Sequence, residues 1–101
     1  MTLDEFIQAI AKHEQCPSSL TKPLQALWYA KKGDWDMAHE ISQSANDADS
    51  AWVHAYLHRK EGDLVNARYW YRRSGHPEFT AGLDSEWEQI TSNLCGEAKS
   101  M

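Results

Sequence analysis

Gly33-Asp34-Trp35-Asp36-Met37-Ala38 returns 29 residues later as Gly62-Asp63-Leu64-Val65-Asn66-Ala67, so the frame Gly-Asp-x-x-x-Ala occurs twice. Each residue type in it has a structural task. Glycine ends a helix by taking the left-handed conformation that a Cβ resists. Aspartate offers a carboxylate oxygen to the orphan N–H groups at the start of the next helix. Alanine one turn further on lets two antiparallel helices approach closely. Ala26 recurs as Ala55, which places a small residue on the first helix of each pair as well. The frame therefore predicts two helical hairpins, repeat one over about 22–45 and repeat two over about 51–75.

Working outward, the rest of the chain reads as helix too. Thr2-x-x-Glu5 is a capping-box signature, followed by Phe6, Ile7, Ile10 and Ala11 at helical spacing. This first helix is expected to end near Gln15, because Pro17 pushes Cys16 out of the helical region. Pro23 suits the first turn of a second helix running to Lys32, with Leu24, Leu27 and Trp28 on one stripe. A third helix follows Asp34 and ends near Ala45. Asp49 or Ser50 should cap a fourth, running from about Ala51 to Glu61, and Asp63 a fifth, broken at Gly75-His76-Pro77. The last helix is expected from Ser85 to Leu94, capped by Asp84 or Ser85 and closed by Gly96. No alternating apolar pattern persists long enough for a strand. The fold class predicted is all-α, about six helices: two antiparallel hairpins flanked by an N-terminal and a C-terminal helix that cap an α-solenoid fragment.

Residues Ala26 to Ser74 resemble two tetratricopeptide-type (TPR-like) repeats. Gly33, Trp35, Ala38 and Ala45 stand at that family's turn glycine, aromatic and small positions, and Ala26 and Tyr29 fit its first helix. In the second copy Gly62, Leu64, Ala67, Tyr71 and Ser74 match, while His58 replaces an aromatic. Ala67-Arg68-Tyr69-Trp70-Tyr71-Arg72-Arg73-Ser74 is also similar to the short SLR-type solenoid variant. The spacing of 29 residues departs from the 34 of the tetratricopeptide repeat, and the usual proline after each repeat is shifted or absent. The block from Trp52 to Arg73 further resembles small uncharacterised bacterial and fungal proteins, from which no activity carries over. The resemblance implies protein or peptide binding without catalytic residues.

Composition narrows the function classes. The chain has 101 residues, 42% hydrophobic and 25% charged, which suits a single domain spanning 1–101. Apolar runs such as Leu27-Trp28-Tyr29-Ala30 fall far short of the ~20 residues that span a bilayer. The opening Met1-Thr2-Leu3-Asp4-Glu5-Phe6 is acidic where a secretion signal needs a basic region, so a cytoplasmic location is expected. Cys16 and Cys95 lack Cys-x-x-Cys spacing and read as free thiols in a reducing compartment. Net charge is −5 but unevenly spread: residues 1–50 carry four Lys against eight acids, 51–76 five Lys/Arg against two, and 77–101 one Lys against five. The balance disfavours nucleic acid, whose binders show a basic domain or face.

Two constellations stand out. Trp52, Tyr56, Arg59, Arg68, Tyr69, Arg72 and Arg73 mix aromatics with arginine, the composition of interface hot spots. They are the candidate binding residues, and the field of the central basic block favours an acidic partner protein or peptide. A homodimer is one version, with the acidic end of one copy on the basic block of another; the alternative is that the acidic ends fold back within one chain.

His54 and His58 lie four residues apart, with Glu61 one turn on, and form the candidate metal face. A metalloprotease would need Glu directly after the first His, where Ala55 stands. Partly buried histidines hydrogen-bonded to Tyr71 and Ser74 across the second hairpin are the favoured reading, and no metal or other cofactor is assigned. No Gly-x-Ser-x-Gly elbow, Walker-type loop or Gly-x-Gly-x-x-Gly is present, and the carboxylates concentrate in caps and turns. The function expected is a non-enzymatic binding module; the alternative is a metal- or small-molecule-dependent activity centred on His54 and His58.

Overall fold

A computed structural model describes residues 1–95. They form six helices: α1 (Leu3–Lys12), α2 (Lys22–Lys31), α3 (Trp35–Gln43), α4 (Ala48–Lys60), α5 (Leu64–Ser74) and α6 (Leu83–Leu94). Among the described residues there is no strand, and no helix is long and apolar enough to cross a membrane.

The two Gly-Asp corners adopt the same geometry. Gly33 has φ +87° and Gly62 φ +86°. At the first corner Gly33 N–H donates to Ala30 O at 3.1 Å and Asp34 N–H to Tyr29 O at 2.9 Å. At the second, Gly62 N–H donates to Arg59 O at 3.0 Å and Asp63 N–H to His58 O at 2.9 Å. These paired bonds satisfy the last carbonyls of α2 and α4 while the chain reverses. Each aspartate then caps the next helix, Asp34 accepting from Met37 N–H and Asp63 from Asn66 N–H. Ala38 and Ala67 are buried where α3 meets α2 and α5 meets α4.

Several ends differ from the sequence reading. α1 stops at Lys12, three residues before Gln15, with His13 already extended. α4 begins at Ala48 because Asp47, rather than Asp49 or Ser50, caps it. Asp47 accepts from both the N–H and the hydroxyl of Ser50, at 2.9 and 2.8 Å, so one carboxylate closes the whole first turn. α6 starts at Leu83 after Gly82, and no side chain caps it. Gly96, expected to close α6, lies outside the described residues.

The two hairpins pack on one another through α4, which meets both α3 and α2 of the first hairpin. α6 packs on α4 and α2, and α1 packs on α6. The C-terminal helix thus lies along α2 and α4 and covers their face. Trp87 holds it there, its buried indole N–H donating to Leu27 O of α2 at 3.0 Å. Phe6 of α1 wedges between Trp28 and Trp87, with both ring centroids 6.0 Å away. α4 is the central helix, and Ser50 to His58 are all buried. That sandwiching explains why α4 shows almost no apolar stripe: every face of it meets another helix.

Candidate functional site

Burial divides the seven candidate binding residues. Trp52 and Tyr56 lie in the core, with 4% and 3% of their surface accessible. Burial, with Glu86 and Asp84 nearby, pushes the Tyr56 hydroxyl up to about 12. Arg59 is claimed from within the chain. Its guanidinium donates to the Glu86 carboxylate of α6 at 2.7 Å and to Ala81 O, and lies over the Phe79 ring. Glu86 itself is fully buried and also accepts from the Tyr71 hydroxyl. Desolvation raises the Glu86 carboxyl above its ordinary value although Tyr71 and Arg59 both pull it down. Arg68 meets Glu78 at 3.4 Å with both side chains half exposed. For Arg59 and Arg68, then, the acidic C-terminal segment does fold back on the basic block within one chain.

Tyr69, Arg72 and Arg73 remain outside. α5 turns Ala67, Tyr71 and Ser74 inward, which by helical periodicity points Val65, Arg68, Tyr69 and Arg72 outward. Leu64, Val65 and Tyr69 are 50%, 75% and 44% exposed, three of the five large apolar side chains exposed among the described residues. Arg73 donates to the Tyr69 hydroxyl at 3.0 Å and lies over the Tyr69 and Trp70 rings. Among the described residues Arg72 and Arg73 have no carboxylate partner. The outer face of α5 is therefore apolar at its N-terminal end and cationic at its C-terminal end.

The histidines are placed differently from the sequence reading. His54 and His58 do not bond Tyr71 and Ser74. Tyr71 turns to Glu86, and the Ser74 hydroxyl donates to Tyr71 O. The two rings meet α3 instead, where His39 joins them. His54 Nε2 and His39 Nε2 lie 3.0 Å apart, and ring centroids are separated by 4.6 Å (His39–His54), 4.8 Å (His54–His58) and 5.2 Å (His39–His58). Burial first, then the neighbouring His39 and His58, lowers His54 to about 3, and burial with His58 lowers His39. Burial thus favours the uncharged form of His39 and His54.

Spacing along α4 could show His54 and His58 together, but His39 comes from another helix. The faint signal was Ala38: its neighbour in sequence borders the close-packed face of the hairpin. Cys16 and Cys95 form no disulfide, and burial raises the Cys16 thiol. Compared with family models, curated proteins and solved structures, the chain matches none.

Proposed function

We propose that this chain is a non-enzymatic, tetratricopeptide-like binding module that docks an acidic segment of a partner protein on the outer face of α5. One observation carries the reading: Val65 and Tyr69 are exposed beside Arg72 and Arg73, two cations with no carboxylate partner among the described residues. The inner face of α2 and α4, which a two-layer solenoid would leave open to a ligand, is occupied by α6. That occupation favours the exposed face of α5 as the binding surface. Arginine beside an exposed tyrosine is the pairing enriched at interface hot spots, and its charge selects an acidic partner.

The test is a screen of immobilised acidic amphipathic peptides against the chain and two variants, Tyr69→Ser and the pair Arg72→Glu with Arg73→Glu. Binding should weaken with salt and be lost in both variants while circular dichroism is unchanged. Peptides held equally by the variants would overturn the proposal. A second copy is the alternative occupant, and sedimentation at low salt shows it as a dimer that the arginine pair abolishes.

A further inference from the structure

We propose that His39, His54 and His58 form a divalent transition-metal site of the zinc class, in which three imidazoles hold one ion and a fourth position opens at the half-exposed His39. The site is independent of the α5 docking face, and either can fail without the other.

Convergence is the first reason. Two helices contribute rings so that one ligand nitrogen from each histidine lies within 4.8 Å of the other two. Four-coordinate zinc with metal–nitrogen bonds of about 2.0–2.1 Å needs nitrogens roughly 3.3 Å apart. The His39–His54 pair is already at 3.0 Å, and the His58 nitrogen closes in from no more than 4.8 Å.

Orientation is the second. Nδ1 of His58 lies 2.7 Å from the Glu61 carboxylate, which accepts its proton. That tautomer leaves the Nε2 lone pair of His58 for a metal, and a carboxylate behind a ligating histidine is the usual supporting arrangement. The other two rings are clamped by indoles. His39 stacks on Trp35 at 4.8 Å and 9°, and His54 on Trp70 at 3.8 Å and 13°. Trp35 is fixed in turn, its indole N–H donating to Leu57 O at 2.8 Å. Each candidate ligand is thus held by its own partner, and a preorganised site loses little side-chain entropy on binding.

Donor chemistry is the third. All-nitrogen donors also select the ion: imidazole suits zinc, copper, nickel or iron, while magnesium and calcium take oxygen. A second grouping, His58 with Glu61 and Asp63, is weaker. Asp63 is engaged as the α5 cap, both its oxygens accepting from Asn66 at 3.2 and 2.6 Å.

The experiment uses the chain without an affinity tag. Equilibrium dialysis with Zn2+ should give one ion per chain, undisturbed by excess Mg2+, and Co2+ should give the strong visible bands of a four-coordinate site. Glu61→Gln should lower Zn2+ affinity roughly 10–100-fold, as loss of a supporting carboxylate does. His39→Ala and His58→Ala, each removing a ligand, should lower it further. His13→Ala and His76→Ala, outside the cluster, should bind as the parent does. His54 is a core residue, so its replacement tests folding as much as binding. His39 is only half buried, and His39→Gln keeps a polar side chain there should the alanine variant unfold. No saturable Zn2+ uptake, or uptake unchanged in a folded His39 variant, would overturn the proposal.

Discussion

Removing Arg59 should do far more harm than an ion pair near a surface loop suggests. Its partner Glu86 has no accessible surface, and the Arg59 side chain retains 17%. In Arg59→Ala the Glu86 carboxylate keeps only the Tyr71 hydroxyl and stays in a water-free position. Breaking a buried pair from one side costs about 3–5 kcal/mol, a large part of the roughly 5–15 kcal/mol that holds a domain folded. At about 4 °C or more per kcal/mol for a domain of this size, Tm should fall by at least about 12 °C.

The loss should also depend on pH. Desolvation already raises the Glu86 carboxyl in the folded chain, and losing the guanidinium raises it further. A raised folded-state value means that the folded chain binds the proton more tightly than the unfolded one. The relative stability is then full below the ordinary carboxylate range and is lost as pH rises through the folded value. Urea denaturation followed by tryptophan fluorescence should therefore show a larger cost at pH 8 than at pH 4. Replacing both partners, Arg59→Met with Glu86→Leu, should recover most of it, because no charge is left buried. A cost below about 1 kcal/mol, the range of exposed pairs, or one equal at both pH values, would refute the reasoning.

Other outcomes follow from the same geometry. Gly62→Ala should cost about 1 kcal/mol of unfolding free energy in urea titration, since the left-handed conformation penalises a Cβ although nothing lies within 4 Å of it; Gly62→Val should cost more. Asp63→Ala should lose about 1 kcal/mol by removing the α5 cap, read as a lower Tm with unchanged native circular dichroism. Trp87→Phe should cost about 0.5–1.5 kcal/mol by removing the indole hydrogen bond to Leu27 O, and hydrogen exchange should show α6 loosening first. Arg72→Glu with Arg73→Glu should cost about 1–2 kcal/mol, through the lost Arg73–Tyr69 bond and the negative charge placed at the α5 C-terminus, with native circular dichroism unchanged.

Much of this protein was legible in order along the chain. Gly33-Asp34 and Gly62-Asp63 specify their corners by themselves, because a positive-φ glycine and a capping carboxylate act within four residues. Thr2 with Glu5 and Pro23 likewise start their helices through local bonds and fixed φ. The helix count and the pairing of α2 with α3 and α4 with α5 follow from those local signals. What lies between helices distant in sequence did not. Local pattern cannot say that α6 returns across α2 and α4, because the decisive contacts are one indole hydrogen bond spanning 60 residues and one buried carboxylate shared by Arg59 and Tyr71. Trp52 and Tyr56, which composition alone leaves as interface candidates, are buried in the packed core. It was tertiary packing, too, that set His39 of α3 against His54 and His58 of α4. Spacing rules join residues on one helix, whereas a site built across two depends on the rotation of each helix about its own axis, which the packed core sets.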